Sequence, residues 1–452
     1  MSLSTRPAIG PPGPWTFPVP LASELPSGLR VLTHHLPGQY VVSVRVVVPL
    51  LVASEPRELE GIATLMSRLL DEGTLHHTPI EFAGLLERGG IGLGAGMTES
   101  ALVIELDVPQ RRLAQALDLL RQLLAEPAFP EAEVRRAVAT RTSEIEQQRA
   151  HASHRAGLAF FEAFFDPAER ASRPAGGTTE TVGAVTRADL VAFHAERVGP
   201  LGATVVVAGD LTGVDATALV GDTLGRWTAP SHVPAPGPRA AVRAADAARI
   251  VVVDRPGSVQ SELAVGWSGP DRHVTEPAGW AAYQVLSFVI GGSPNARIDA
   301  VLREEKGYTY GIRSAFRPRR VGGTFYTSGS VRSEVTVEAL RLLLDILDGA
   351  RSGYTVEEVR SGADFIGLTA PGRYATADAV AAETAGLVID GLPSDFTTSN
   401  LAALGGLTPQ VLRDAASAYL TGEWTVVVVG DAAAWLDGVR ALGRGDVTVV
   451  PA

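Results

Sequence analysis

The sequence Thr204-Val-Val-Val-Ala-Gly-Asp210 returns almost unchanged as Thr425-Val-Val-Val-Val-Gly-Asp431. A short apolar run closed by a Gly-Asp turn predicts a buried strand. Each copy follows a stretch in which a threonine precedes a short polar run, Val185–Leu190 and Leu407–Leu412, and this pattern is typical of a helix start. Because the copies are roughly 220 residues apart, they indicate a duplicated domain rather than a solenoid of short repeats.

Strand and helix patterns alternate around each copy. The first half contains one apolar strand face and one apolar helix face: Val42, Val44, Val46 and Val48, then Leu113, Leu117, Leu120 and Leu124. The second half repeats this order, with a strand at Ile250–Val253 and a helix around Ala339–Leu347. We therefore predict an α+β fold of two duplicated halves, each made of β-sheets with helices packed on one side.

The predicted boundary between the halves is a Pro-rich stretch that begins at Ala229 and is too stiff and polar for a core element. We place a linker at residues 229–245, an N-terminal domain at 21–228 and a C-terminal domain at 246–452. Residues 1–20 form a Pro-rich N-terminal extension without the features of a signal peptide.

Composition excludes several classes of function. The 452 residues include 46% hydrophobic and 20% charged residues, which allows a large buried core. The net charge of −11 comes from interspersed acidic and basic residues, which argues against a nucleic-acid partner. The absence of cysteine excludes a disulfide framework, a thiol nucleophile and cysteine-bound zinc. No apolar run approaches the roughly 20 residues of a membrane helix, so we expect a cytoplasmic protein without a membrane partner.

Three stretches together resemble the insulinase/pitrilysin family, the inverzincins that include mitochondrial processing peptidase. They are Leu25-Pro-Ser-Gly-Leu-Arg-Val-Leu32, Glu60-Gly-Ile-Ala-Thr-Leu-Met-Ser-Arg-Leu-Leu-Asp-Glu-Gly-Thr74 and Leu302-Arg-Glu-Glu-Lys-Gly-Tyr-Thr-Tyr310, in the order of the family. The resemblance covers essentially the whole chain and includes its duplication. It implies a clam-shell chamber formed with a partner subunit.

The resemblance also indicates where the metal site of the family lies, and the residues of this sequence differ from the family's metal ligands there. Active members carry H-x-x-E-H on the helix that resembles residues 60–74, where two histidines hold zinc and the glutamate activates water. Here the corresponding residues are Thr64, Ser67 and Arg68. Glu144 matches the third ligand of the family, although read without the resemblance it is a surface carboxylate on a helix. The resemblance therefore implies a degenerate site without metal. Helical periodicity places these three residues on the polar face of their helix.

Arg303 and Tyr310 are the catalytic candidates. Read alone, Arg303 is an exposed partner of nearby glutamates, and Tyr310 is an ordinary strand aromatic. The family carries an Arg and a Tyr at this spacing, and both match. The resemblance implies that they contact the substrate in the zinc site of a partner and stabilise the developing oxyanion.

Gly291 and Gly292 resemble the start of a glycine-rich loop that captures substrate in the non-catalytic subunit of mitochondrial processing peptidase. The version here is short, and Ala296 replaces the serine usual before Arg297. A tight strand–helix turn is the alternative interpretation of the two glycines.

A rebuilt metal site and a serine nucleophile find less support in the sequence. His151 and His154 follow Glu144 closely and could share a helix face in a rebuilt metal site, although exposed histidines near polar turns are usually solvated. No G-x-S-x-G elbow marks a serine nucleophile.

The function that we predict is a zinc-less partner subunit of a heterodimeric zinc endopeptidase acting on peptides or unfolded segments. The chain would be inactive alone and bind no cofactor, with zinc in an H-x-x-E-H-bearing partner. The alternative is a non-catalytic scaffold or peptide-binding protein of the same fold. The pair Arg303 and Tyr310 distinguishes the two, because a scaffold has no chemical reason to keep these residues.

Overall fold

The computed structural model describes residues 15–228, 237–243 and 249–451. The described residues contain two six-stranded sheets, one in each half. The strands of the first are β1 (Leu21–Glu24), β2 (Arg30–His35), β3 (Val41–Pro49), β4 (Gly92–Met97), β5 (Ala101–Pro109) and β6 (Thr204–Gly209). Those of the second are β7 (Ile250–Asp254), β8 (Gln260–Gly269), β9 (Arg313–Pro318), β10 (Gly323–Arg332), β11 (Thr425–Gly430) and β12 (Val447–Pro451).

Sixteen α-helices lie within the described residues. Those of the first half are α1 (Ile62–Leu69), α2 (Pro79–Gly89), α3 (Leu113–Ala125), α4 (Glu131–Ala150), α5 (Ala152–Phe164), α6 (Thr179–Gly183), α7 (Arg187–Arg197) and α8 (Ala216–Asp222). Those of the second half are α9 (Trp280–Ser287), α10 (Arg297–Asp299), α11 (Thr336–Gly349), α12 (Val356–Arg373), α13 (Ala377–Asp390), α14 (Phe396–Ala403), α15 (Pro409–Tyr419) and α16 (Ala432–Ala441).

Strand order confirms the duplication. The sheets run β1-β2-β6-β3-β5-β4 and β12-β7-β11-β8-β10-β9, so the repeated strands β6 and β11 hold the same third place. Each of them is parallel to one neighbour and antiparallel to the other. The halves differ at one edge, where β1 is antiparallel to β2 but β12 is parallel to β7.

The principal core of each half lies on one face of its sheet. The four alternating valines of β3 and the four predicted leucines of α3 are all buried in the first core. The predicted strand at Ile250 and the predicted helix α11 meet in the second core. Sheets with helices packed against them, as predicted, are therefore confirmed for both halves.

The two halves also exchange one helix each. α5 belongs to the first half in sequence, but its residues Ala156, Phe160 and Phe164 pack against β8 and β11 of the second sheet. In return, α13 packs Val380 and Ala381 against β2 and β6 of the first sheet. As a result β6 and β11 are buried on both faces, which explains their continuous apolar sequence.

The predicted helix starts are confirmed by their caps. The hydroxyl oxygen of Thr186 accepts a hydrogen bond from the backbone N–H of Asp189 at the start of α7. The hydroxyl oxygen of Thr408 accepts one from the N–H of Val411 at the start of α15, where Pro409 occupies the first helical position.

Part of the predicted linker and extension lies outside the described residues, namely 229–236, 244–245 and 1–14. The described residues 237–243 run along the end of α5, where the N–H of Asp166 donates to the carbonyl oxygen of Ala241 at 3.0 Å. No helix among the described residues is long and apolar enough to span a membrane.

Candidate functional site

The helix that carries the degenerate metal positions, α1, is held at its start by buried charges. Gly61 precedes it with a φ of +99°, and a Cβ there would lie 2.8 Å from the carbonyl oxygen of Gly176. The fully buried carboxylate of Glu55 accepts a hydrogen bond from the N–H of Ala63 at 3.0 Å and pairs with Arg170 at 2.8 Å. The start of α1 is therefore held by Glu55, which lies just before it, and by close contacts with Arg170 and the backbone of Gly176.

The three degenerate positions differ in burial. Thr64 is half-buried and Arg68 is exposed, but Ser67 is buried, with 3% of its surface exposed. The hydroxyl of Ser67 donates to the carbonyl oxygen of Thr64 at 2.9 Å. The prediction that Ser67 lies on the polar face of the helix is therefore wrong, because its short side chain turns back onto its own helix.

Arg68 and Glu144 meet across the helices α1 and α4. One terminal nitrogen of Arg68, Nη1, lies 2.9 Å from Oε1 and 2.7 Å from Oε2 of Glu144. Partial burial raises the pKa of Glu144, but hydrogen bonds from Arg68 and Arg141 outweigh it and hold that pKa below its ordinary value. Glu144 is therefore a helix carboxylate with 34% of its side chain exposed, as read without the resemblance, and it is also paired with two arginines.

Arg141 is a member of this cluster that the sequence reasoning missed. It is buried on α4, and its Nη1 lies 3.2 Å from Oε2 of Glu144. Its guanidinium also donates to the carbonyl oxygen of Gly176, which lies beside Gly61. Its spacing three residues before Glu144 on a helix was the available indication of the pair.

These positions do not fit zinc. A guanidinium is permanently charged and offers no lone pair, so Arg68 fills the space beside Glu144 with a cation of its own. Catalytic zinc takes three protein ligands, and Glu144 supplies one. Within the described ranges no group of three or more His, Asp or Glu residues could hold a metal ion, and this includes His151 and His154.

Arg303 and Tyr310 lie on one short segment of the second half. Arg303 belongs to the π-helical turn Ala300–Glu305, its side chain is 41% exposed, and its Nε lies 3.3 Å from the carboxylate of Glu304. Tyr310 is 97% exposed and lies in the loop before β9, so its interpretation as a strand residue is wrong. It makes no hydrogen bond or ring contact to any residue that the structure describes.

The loop that carries Tyr310 is anchored at both ends. The N–H of Tyr308 donates to the carbonyl oxygen of Leu302 at 2.9 Å, across a Gly307 with a φ of +63°. At the other end, the fully buried carboxylate of Asp299 accepts the N–H of Ile312 at 3.0 Å. The exposed phenol therefore projects from a fixed backbone.

Gly291 and Gly292 lie at the end of a helix and do not form a turn between a strand and a helix. They close the π-helical turn Phe288–Gly292 that continues α9, so the strand–helix interpretation is wrong. A Cβ on Gly291 would lie 2.5 Å from the hydroxyl oxygen of Ser314 on β9. Gly291 is buried and serves close packing, whereas Gly292 is exposed.

Two models from one family match successive parts of the chain. A family model described as Insulinase (Peptidase family M16) matches residues 30–170, and one described as Peptidase M16 inactive domain matches 184–363. An uncharacterized zinc protease of Mycobacterium tuberculosis is 26% identical over 358 residues, which cover 78% of this chain and 80% of the relative. One from Streptomyces coelicolor is 25% identical over 352 residues, covering 75% of this chain and 73% of the relative.

Solved structures share the fold. A peptidase M16 inactive domain from Pseudomonas fluorescens aligns with a TM-score of 0.82 at 20% identity, covering 91% of this chain and 98% of its own. A protease from Helicobacter pylori aligns with a TM-score of 0.81 at 18% identity, covering 92% and 100%. A chain of complex III2 from Candida albicans aligns with a TM-score of 0.76 at 13% identity, covering 94% and 99%.

Proposed function

The chain belongs to the insulinase family of peptidases, and from this premise we propose that it is the zinc-less partner subunit of a heterodimeric zinc endopeptidase. The partner would carry H-x-x-E-H and the zinc, and this chain would bind no cofactor. The substrates would be peptides or unfolded segments, since relatives are named as zinc proteases. A chain without cysteine suits a cytoplasmic location.

The observation that carries the proposal is the ion pair of Arg68 and Glu144. The carboxylate that matches the third ligand is held by a cation from the position of the second histidine. This arrangement satisfies the charge of Glu144 without a metal, so the helices α1 and α4 can pack as in the family while the catalytic chemistry is lost.

Arg303 and Tyr310 support a role in a shared active site. A guanidinium and a phenol are donors suited to a developing oxyanion, and they act most strongly where water is excluded. Because Tyr310 is almost fully exposed, its phenol can contact a second molecule. To do the same, Arg303 would give up only its contact with the exposed carboxylate of Glu304. We propose that both donate to the substrate in the site of the partner.

The test is peptide cleavage in the presence of zinc, with this chain alone, with an H-x-x-E-H-bearing relative from the same genome alone, and with the two mixed. We expect activity only in the mixture. A chelator should abolish that activity without unfolding this chain, as followed by circular dichroism.

Cleavage by this chain alone would contradict the interpretation of its metal positions. A mixture that forms a stable complex but cleaves no faster than the relative alone would remove the catalytic role and leave the scaffold alternative.

A further inference from the structure

A cavity of about 220 Å³ lies among the helices α9, α12, α13 and α14 of the second half, and none of the candidate site residues lines it. Its apolar wall includes Trp280 on α9, Ile366 on α12, and Phe396 and Leu401 on α14. Pockets for drug-sized ligands measure roughly 300–1,000 Å³, so this smaller cavity suits a molecule of the size of a single amino acid.

One cation inside the cavity is shared by two carboxylates. Arg272, whose side chain is 17% exposed, lies 3.1 Å from Asp390 and 3.4 Å from Glu383, both on α13. Its guanidinium lies 4.8 Å from the centre of the Phe396 ring, which holds it in place. Burial raises the pKa of Asp390, and the nearby carboxylate of Glu383 adds to this rise, while Arg272 opposes it. Two negative charges against one positive charge favour a further cation here.

A second cation lies at the rim of the cavity and has no carboxylate partner. Arg373, the last residue of α12, is exposed and forms no salt bridge within the described part of the chain. The phenol of Tyr374 interacts with both Arg373 and Glu383 and so lies between these two charges. The ring of Tyr374 is held by Trp15 and Phe17, at centroid distances of 5.7 and 5.1 Å. The cavity therefore carries a surplus negative charge inside and a separate positive charge at its rim.

Two amides complete the polar lining. Nδ2 of Asn400 donates to Oε1 of Gln284 at 2.6 Å, and both residues are half-buried. This bond leaves Nε2 of Gln284 as a donor and Oδ1 of Asn400 as an acceptor, each without a hydrogen-bond partner among the residues that the structure describes. Such groups favour a ligand that brings both an acceptor and a donor.

We propose that this cavity binds a free α-amino acid with an apolar side chain. The ammonium group would contact Glu383, the carboxylate would contact Arg373, and the side chain would pack against Trp280 and Phe396. An anion alone would meet the surplus carboxylate, and a cation alone would leave Arg373 unpaired, so a zwitterion matches both charges. This site does not depend on the proposed function, because its lining shares no residue with the candidate active site.

Isothermal titration calorimetry with the full chain alone tests the proposal. The probe is L-phenylalanine, and we expect saturable binding of one molecule per chain with a dissociation constant below about 1 mM. Two analogues each lack one charge: phenethylamine has no carboxylate, and 3-phenylpropionate has no ammonium group. Each should bind at least about tenfold more weakly than phenylalanine, because one charged contact is missing.

Two substitutions assign the contacts to residues. Arg373→Met keeps the aliphatic part of an exposed side chain and should weaken phenylalanine binding about tenfold, with no loss for phenethylamine. Glu383→Gln should weaken the binding of both compounds, and the measurement with 3-phenylpropionate reports on the same contact if this variant does not fold. The matched control is Arg360→Met on α12, whose side chain is 81% exposed and lies outside the cavity, and it should bind phenylalanine like the wild type.

Absence of saturable phenylalanine binding up to about 10 mM overturns the proposal. Either analogue binding as tightly as phenylalanine overturns it too, as does undiminished binding by a folded Arg373→Met variant. Phenylalanylglycine binding at least as tightly as phenylalanine would assign the cavity to the N-termini of peptides and likewise overturn it. Peptide cleavage by the mixture of subunits is a separate measurement, so neither result decides the other.

Discussion

Arg68 places one fixed positive charge where active members of the family hold a dication. Its Nη1 reaches both oxygens of Glu144, and Arg141 approaches the same carboxylate from its own helix. The side chains of Arg68 and Glu144 are 42% and 34% exposed, so solvent screens the pair and its contribution to stability is about 0.2–1 kcal/mol. The pair therefore contributes little to stability, and its main consequence is that a cation occupies the position of a metal ligand.

This geometry predicts that zinc binding can be restored in part. The double substitution Thr64→His and Arg68→His removes the Arg68 cation from Glu144, which keeps its contact with Arg141. It also places two histidines one helical turn apart beside that carboxylate, which gives the three ligands that zinc requires. We expect one zinc per chain by atomic emission after dialysis. Adding Glu144→Gln should weaken the affinity at least about tenfold. No stoichiometric zinc in a folded double variant would show that α1 and α4 no longer hold the ligand geometry.

The donor pair predicts effects on turnover in the assembled complex. Arg303→Ala and Tyr310→Phe should each lower kcat about 10²-fold with little change in KM, if the donors act mainly in the transition state. The matched controls are Arg360→Ala and Tyr40→Phe. The side chain of Arg360 is 81% exposed, and Tyr40 as a whole residue is 69% exposed. Unchanged turnover in both test variants, with assembly intact, would exclude the proposed role.

His34 makes stability depend on pH. It lies on β2 with 2% of its surface exposed, and its Nε2 lies 2.9 Å from the hydroxyl oxygen of Thr384 on α13. Burial lowers the pKa of His34 from 6.5 to about 4. Between these values the unfolded chain binds the proton more readily than the folded chain, so the free energy of unfolding falls as pH drops from about 6.5 towards 4.

The expected loss attributable to His34 reaches about 3 kcal/mol at the acid end of this range. His34→Gln should remove that part of the pH dependence, measured by urea unfolding at several pH values, and the control His77→Gln should keep it. Burial also lowers the pKa of His194, so a smaller slope should persist in the variant. A variant that keeps the full slope would assign the acid sensitivity to other groups.

At the scale of elements, the exchanged helices explain why the central strands carry no polar face. Phe160 on α5 packs so closely on β8 that a Cβ on Gly266 would lie 2.8 Å from its ring. The same ring lies 4.9 Å from that of Tyr326 and 5.5 Å from that of Phe164, measured between centroids. A helix that belongs to the first half in sequence thus covers the other face of the second sheet.

We expect Phe160→Ala to lower the free energy of unfolding by about 3–5 kcal/mol, because it removes a fully buried ring that bridges the halves. Phe365→Ala, on α12 with 52% of its surface exposed, is the control and should have little effect. Chemical denaturation of both variants measures the difference. Equal stability of the two would mean that the packing of α5 on the second sheet contributes little to stability.

Local elements could be predicted from the sequence, whereas contacts between elements could not. The duplicated strands and the starts of α7 and α15 follow from patterns within a few residues, namely apolar runs and capping threonines. The pairing of Arg68 with Glu144 joins residues 76 positions apart, and nothing in either helix alone specifies it. The exchange of α5 and α13 was hidden for the same reason, since an apolar helix face does not reveal which sheet it covers.

The helical pattern of the sequence also could not predict which side chains at the site are buried. Periodicity placed Ser67 with Arg68 on a polar face, but a serine can bond to its own backbone and remain buried. Tyr310 was expected in a strand because aromatic residues favour strands, yet the turn at Gly307 and the anchor at Asp299 extend the loop past it. In both cases the hydrogen bond formed depends on a specific partner, which the general preference does not take into account.

At the scale of the whole molecule, the reciprocal exchange makes each half incomplete alone. Without α13 the first sheet would expose the face that carries Leu32, Val206 and Ala208, and without α5 the second would expose Val427 and Val429. Apolar faces of this extent are costly in water. The same exchange helps to form a cavity of about 540 Å³ between the halves, because Leu158 and Phe161 of α5 supply part of its wall.

We therefore expect the two halves to unfold in one transition, although independent domains of this size often unfold separately. Val380→Ala on α13 weakens the first sheet and Phe160→Ala on α5 weakens the second, with expected losses of about 1–3 and about 3–5 kcal/mol. Each variant should shift the whole calorimetric transition to a lower Tm, and the ratio of calorimetric to van't Hoff enthalpy should stay near unity. A second transition that moves in only one variant would show that the halves are stable without their exchanged helices.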